Sequence, residues 1–355
     1  MDFFETNATT QAFNKSIFTI SSPTMEEVKN SVFLKMIFII NLFINLIGGI
    51  MHFTVVYISI KNRNFHSTCK LLIAANSVCV MLAYLSPITP LLVFILPNFR
   101  PSLFQCFVIQ SVPLVANFYI YSLILVIGFD RLLSAFCPIW YISRNDRIYF
   151  FPLFFASTLF PMFIEWIAFK NMTSKPNVER CCTLGEMVGG GWTSIVGICC
   201  LICIVISVSF YLIVWARLKL DISRSGQSET VHARQSIFRS LCIILCLQFC
   251  GWTFGQLTYA FVYMNAPLMH PLTRWQINRV LVAEFTKRLS TINSMLIVFL
   301  SLTAALDVPV LYINSLEYRE ALNKLWPWKF IAKWEAKERQ HRLSEFTAQF
   351  IEQRQ

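Results

Sequence analysis

The sequence predicts an all-α membrane protein: a seven-transmembrane helix bundle followed by a short amphipathic eighth helix. Two observations carry this. Of 355 residues, 56% are apolar and only 14% charged, against about 25% charged in a soluble domain, so the chain lacks the polar surface to cover itself in water. The apolar residues also gather in seven runs, at 33–60, 71–96, 104–137, 148–169, 192–215, 237–264 and 285–313. Each is long enough for the roughly 20 residues that a helical span of the hydrocarbon core requires. The runs are continuous and do not alternate apolar with polar, which excludes a β-barrel. Backbone groups in lipid must be satisfied within their own segment, which leaves the helix.

Taken in order, residues 1–31 are polar, with Asp2, Glu5, Glu26 and Glu27, and read as an exposed N-terminal segment. No secretory signal precedes the first span, so that span is expected to act as the targeting signal. Residues 32–313 form the bundle, 314–328 an interfacial helix, and 329–355 a charged tail. The net charge of +11 sits beside the membrane and not on a nucleic-acid face. Lys61, Arg63 and Lys70 lie in the first loop, Arg144 and Arg147 in the third, and Arg217, Lys219, Arg224, Arg234 and Arg239 in the fifth. Eight more follow Ile313, whereas Lys170, Lys175, Arg180, Arg274 and Arg279 lie on the opposite side. The positive-inside bias puts the richer side in the cytoplasm. Three N-glycosylation sequons, at Asn7, Asn14 and Asn171, all fall on the other side. The N-terminus is therefore expected outside and the C-terminus inside, in the plasma membrane.

Ionisable residues within spans are costly and mark function. Glu165 lies near the outer end of the fourth span, and Lys287 and Arg288 near that of the seventh. Asp130 and Arg131 end the third span on the inner side, and Asp307 lies near the inner end of the last. For Lys287 and Arg288, snorkelling to the interface is an equally good reading. No chain of carboxylates, matched broken helices or internal repeat marks a transporter, and no carbonyl filter marks a channel. No phosphate loop, metal-ligand cluster or nucleophile elbow is present, so neither enzyme chemistry nor a cofactor is expected. Most of the twelve cysteines lie in spans and read as small apolar packing. Cys106 opens the third span on the outer side, and Cys181 and Cys182 lie in the loop after the fourth. A bridge from Cys106 to either of them would pin that loop over the bundle mouth.

Several motifs share an order and spacing. Cys106 precedes Arg131 of Gly128-Phe129-Asp130-Arg131-Leu132 by 25 residues, and Pro138 and Trp140-Tyr141 follow. The second span holds Leu72-Ile73-Ala74-Ala75-Asn76, the fifth Tyr211, the sixth Trp252, and the seventh Pro309-Val310-Leu311-Tyr312. Over roughly 30–328 the chain resembles the rhodopsin-like G-protein-coupled receptors. The run from Phe129 to Tyr141, with His66-Ser67-Thr68-Cys69-Lys70 before the second span, is similar to nematode serpentine chemoreceptors of the Srsx type.

The resemblance implies that an extracellular ligand, a small chemosensory molecule or a peptide, drives a heterotrimeric G protein on the cytoplasmic face. It assigns coupling and activation to Asp130, Arg131, Leu132, Tyr211, Trp252, Pro309 and Tyr312. Ligand-pocket candidates are Pro113, Asn117, Glu165, Trp252 and Glu284, and polar-core candidates are Asn76 and Asp307. The departures are specific. Asn76 replaces the family's sodium-binding aspartate, Val308 its seventh-span asparagine, Leu132 its motif tyrosine and Phe254 the proline after its tryptophan. Pro113 stands where amine receptors hold an aspartate, which argues against a monoamine. Arg234 stands where many relatives carry the acid that pairs with the motif arginine, which leaves Asp130 as the evident partner of Arg131. The alternatives are a seven-span transporter or channel, or a receptor-like scaffold that does not couple.

After Tyr312, the stripe Tyr318, Ala321, Leu322, Leu325 and Trp326 has helical spacing with Arg319, Glu320 and Lys324 turned away, and Pro327 is expected to stop the helix. No cysteine follows Cys250 to carry a palmitate, so Trp326 and Trp328 are the expected anchors.

Overall fold

The structure, a computed structural model, describes residues 32–62, 65–96, 98–179, 182–225, 242, 243, 246, 250, 295, 297–325, 333 and 337. Six apolar helical spans long enough to cross a membrane lie among them, at Lys35–Lys61, Thr68–Val93, Leu103–Phe136, Ile148–Ser174, Ile195–Arg217 and Ile297–Asn314. They answer to the first five and the last of the seven runs. The sixth run, 237–264, falls almost wholly outside the described residues. Among those described, the only β feature is one isolated antiparallel bridge, Ser102 to Glu179.

In chain order the elements are α1 (Val32–Lys61), α2 (Thr68–Ala83), α3 (Ile88–Ile95), α4 (Leu103–Phe136), α5 (Pro138–Ser143), α6 (Asp146–Ser174), α7 (Leu184–Val188), α8 (Gly190–Ser225), α9 (Asp307–Asn314) and α10 (Leu316–Leu322). The third span, α4, is central and packs against α2, α6 and α8. Apolar side chains elsewhere point outward: Phe43, Leu46, Ile47, Phe155, Leu159, Ile198 and Ile202 are all exposed, as lipid-facing residues of a bundle should be.

Local chemistry sets where α4 begins and ends. Ser102 forms a reciprocal capping box with Gln105: the Gln105 N–H donates to Ser102 Oγ (3.3 Å), and the Ser102 N–H donates to Gln105 Oε1 (3.0 Å). The next two free N–H groups, of Leu103 and Phe104, donate to the Val178 and Pro176 carbonyls in the loop after α6. At the far end Pro138 follows Cys137, and the residue before a proline avoids the helical region. α4 accordingly stops at Phe136.

Three expectations need correction. The second run is not one helix: α2 ends at Ala83, a tight turn covers 84–87, and α3 restarts at Ile88. The cause is a pair of prolines. Pro87 and Pro90 have no N–H for the carbonyls four residues earlier, those of Ala83 and Ser86. The Ser86 N–H takes over the Ala83 carbonyl (3.0 Å). Next, α6 runs to Ser174, so Asn171 lies in the helix and not in a loop. Finally, α10 stops at Leu322, before Pro327 is reached. Its C-cap residue Asn323 accepts a hydrogen bond at Oδ1 from the Tyr312 hydroxyl (2.9 Å), which holds that residue back against α9.

Two buried apolar clusters fill the bundle. At the Cys106 end, Leu114, Phe118 and Tyr121 of α4 pack with Ile164, Ile167 and Ala168 of α6, Val196, Cys200 and Ile204 of α8, and Met187 and Val188 of α7. At the Asp130 end, Leu72 and Ile73 of α2 and Leu123, Ile124 and Ile127 of α4 meet Tyr211, Val308, Leu311, Tyr312, Tyr318 and Leu322. α10 is seated there by Tyr318, which is fully buried and meets the Phe65 ring edge-on at 4.9 Å, and by an ion pair between Lys70 and Glu317.

Candidate functional site

The chemistry-bearing residues gather at the two ends of α4. At one end a disulfide joins Cys106 to Cys182. This resolves the choice left open between Cys181 and Cys182. Cys182 holds φ at +60°, the left-handed region that non-glycine residues rarely adopt. That turn presents its carbonyl to Gln110. Gln110 is fully buried, and its Nε2 donates to the carbonyls of Ser86 (2.7 Å) and Cys182 (3.3 Å). The Ser86 carbonyl is the one that Pro90 left without a helical donor. One side chain of α4 thus ties the break in the second span to the disulfide loop.

The same loop is clamped from α6. Asn171 Nδ2 donates to the Glu186 (3.2 Å) and Met187 (2.8 Å) carbonyls of α7. Gly189 follows at φ +84°, and a Cβ there would stand 3.0 Å from the Asn171 amide. With α7 held down, Met187 and Val188 become buried among α4, α6 and α8. At the Asn171 sequon the amide nitrogen is thus hydrogen-bonded within the fold, near the end of a helix. Asn7 and Asn14 lie outside the described residues.

At the other end of α4, Asp130 is fully buried and held by three groups. Arg131 donates to its Oδ2 through Nε (3.1 Å) and through Nη2. The Tyr141 hydroxyl lies 3.1 Å from both carboxylate oxygens, and Arg144 Nη2 donates to Oδ1 (3.2 Å). Arg131 Nη2 also reaches the Tyr141 oxygen (3.0 Å). Burial holds the Tyr141 phenol well above its ordinary range, against the opposing pull of the Arg131 charge, so it remains a protonated donor. The Arg144 side chain is 5% exposed and its guanidinium carbon lies between two rings inclined at 74° to each other, 3.5 Å from the Tyr141 centroid and 3.4 Å from that of Tyr149. Asp146 stands 3.8 Å from the same guanidinium and accepts from the Thr68 hydroxyl (2.8 Å), linking the starts of α2 and α6.

Asp130 is thus not the only partner of Arg131, and Arg131 is not the only partner of Asp130. Sequence reasoning placed Arg144 among the loop charges and missed it. The signal lay in Tyr141 and Tyr149, two rings three and five residues from an arginine beside a buried acid. His52 was also missed: it is buried in α1 with Nε2 3.0 Å from the Ala304 carbonyl.

The remaining predicted residues are dispersed. Tyr211 is buried against α4, where Gly128 leaves room for its ring; a Cβ there would stand 3.2 Å from Tyr211 Cε2. Leu132 packs against the Asp130-end cluster, and Tyr312 belongs to it. Pro309 sits in the first turn of α9, just after a turn at Leu306 interrupts the last span. Asn76 and Asp307 are both buried. Pro113 is buried inside α4 and Asn117 half-buried one turn later. Glu165 is half-buried in α6, its Oε2 shielded from solvent and without a hydrogen-bond partner among the described residues. Cys181, Trp252 and Glu284 lie outside the described residues. Among those described, no His, Cys, Asp and Glu group could hold a metal ion.

A family model describing the serpentine type seven-transmembrane GPCR chemoreceptor Srsx matches residues 42–326, from the first span to just beyond α10. No curated protein matches the chain. That match covers most of the chain, including both ends of α4, and the apolar helices agree with it: the chain belongs to the Srsx family of serpentine seven-transmembrane G-protein-coupled chemoreceptors.

Proposed function

We propose that the chain is a plasma-membrane receptor that couples an extracellular chemical ligand to a heterotrimeric G protein through Arg131. The observation that carries this reading is a fully buried Asp130 holding Arg131 at one end of α4, while a disulfide closes the other end. A guanidinium paired to a buried acid beside the membrane boundary has two states, held or released. A partner that binds only the released state shifts the balance towards it. The disulfide suits an oxidising compartment, and the basic loops suit the acidic cytoplasmic leaflet. Both support an outward N-terminus, with Asn7 and Asn14 as proposed glycan acceptors.

The ligand would enter at the Cys106 end, beneath α7. Pro113, Asn117, Glu165, Trp252 and Glu284 remain its candidate contacts. Tyr211, Pro309 and Tyr312 would transmit the change to the Asp130 end, and α10 would lie along the inner interface as the eighth helix. The domain scheme proposed with this reading is an outer segment at 1–31, the bundle at 32–313, an interfacial segment at 314–328 that holds α10, and an inner tail at 329–355.

The test is nucleotide exchange on a panel of Gα subunits, using membranes that carry the full chain, with volatile, lipid and peptide libraries as stimuli. Arg131→Ala should remove both basal and stimulated exchange while the amount at the surface is unchanged. Ion current or solute flux that survives Arg131→Ala would refute coupling and favour a transporter or channel. Failure of exchange in every Gα background would favour a non-coupling scaffold.

A further inference from the structure

We infer that Arg144 is a positioning residue for the signalling step: a reserve counter-ion that keeps Asp130 neutralised when Arg131 leaves it. This rests on the coupling role proposed for Arg131. The juxtaposition is direct. Asp130 is fully buried, and its two oxygens are divided between two guanidiniums, Oδ2 to Arg131 and Oδ1 to Arg144. The two cations differ in how they are held. Arg131 is fixed by the shared acid and by the Tyr141 hydroxyl. Arg144 is fixed as well by close contact with the Tyr141 and Tyr149 rings, 3.5 Å and 3.4 Å from their centroids, and by Asp146 at 3.8 Å. It would remain in place if Arg131 swung away.

The physical consequence has a sign. A buried carboxylate stripped of its sole cation is strongly disfavoured. If Arg131 were that sole cation, its release would be resisted by the full cost of exposing Asp130 to an apolar surround. With Arg144 still on Oδ1 and Tyr141 still donating, release leaves a buried acid that keeps a cation and a hydrogen bond. Two guanidiniums at one carboxylate also repel each other, which weakens the hold on the more mobile one. Arg144 therefore loosens the Asp130–Arg131 pair. A residue that looks like an additional restraint on the resting state acts in favour of the active one.

The experiment measures basal nucleotide exchange on co-expressed Gα subunits by the full-length receptor in membranes, normalised to surface amount, with Arg131→Ala defining the floor. Arg144→Gln should lower exchange by about threefold to tenfold, in the range of ordinary two-state coupling. Asp130→Asn should raise it, and adding Arg144→Gln to Asp130→Asn should change nothing further, because no charge is left to neutralise. Arg144→Lys, which keeps the charge but loses the planar guanidinium packed against the two rings, should stay within about twofold of the parent. It also serves as the test if Arg144→Gln fails to reach the surface. Higher exchange in Arg144→Gln would make Arg144 a plain restraint and overturn the inference. So would an equal loss in the Asp130→Asn background, or an Arg144→Lys variant near the floor, either of which would make the residue a rivet of the fold. A parent rate no higher than the Arg131→Ala floor in every Gα background would refute the coupling role itself, and this inference with it.

Discussion

Replacing Cys182 with serine should destabilise the receptor, and replacing its neighbour Cys181 should not. The bond joins residues 76 apart in sequence. Treated as closing a loop of that length in a free chain, it restricts the unfolded state by about 4.5 kcal/mol at room temperature. The third and fourth spans, however, remain inserted as helices when the bundle loosens, so most of that loop is never free. The free segment then runs only from the end of α6 at Ser174 to Cys182. A loop of about eight residues gives about 2.5 kcal/mol by the same relation. The expected loss lies between these limits, lowering the melting temperature by on the order of 5–10 °C. Losing the tether also frees Cys182 from its left-handed backbone and removes an acceptor from the buried Gln110 amide. The assay is thermal unfolding of purified full-length protein without reductant, comparing Cys106→Ser, Cys182→Ser and Cys181→Ser. The first two should fall together, and the double variant Cys106→Ser/Cys182→Ser should be no worse than either. Equal losses for Cys181→Ser and Cys182→Ser, or no loss for Cys182→Ser, would refute the pairing.

Asn171→Gln should leave the glycan-dependent gel mobility unchanged, whereas Asn7→Gln and Asn14→Gln should each remove a step. It should also cost about 1–3 kcal/mol of stability by leaving two α7 carbonyls without their donor. Gln110→Leu should lower stability by a similar amount, about 1–3 kcal/mol, because the Ser86 carbonyl has no other donor once Pro90 follows; a thermal melt within a degree of the parent would count against this. Tyr318→Phe should be nearly neutral, since that hydroxyl is buried without a hydrogen-bond partner among the described residues, whereas Tyr318→Ala should cost about 3–5 kcal/mol by opening a cavity beside Phe65.

The spans were legible in the sequence because lipid imposes a one-dimensional rule. A helix that crosses the membrane must satisfy its own backbone and present apolar side chains along roughly 20 residues, and composition records this residue by residue. The boundaries of α4 were equally local, set by Ser102 and Gln105 at one end and Pro138 at the other. The pairing of Asp130 with Arg131 was legible too, since the two are adjacent.

Other features depended on groups remote in the chain meeting in space. Which of two adjacent cysteines faces Cys106 depended on the path of a loop that α6, extended to Ser174, had already shortened. Asn171 read as a glycan acceptor because a sequon names three residues and nothing about the carbonyls of Glu186 and Met187 that claim its nitrogen. Arg144 read as one loop charge among many, until α5 and the start of α6 folded two tyrosine rings around it and turned it onto Asp130. A charge in a loop is set by sequence alone, but the groups it neutralises are set by which helices pack together, and here that packing gives one buried acid two arginines.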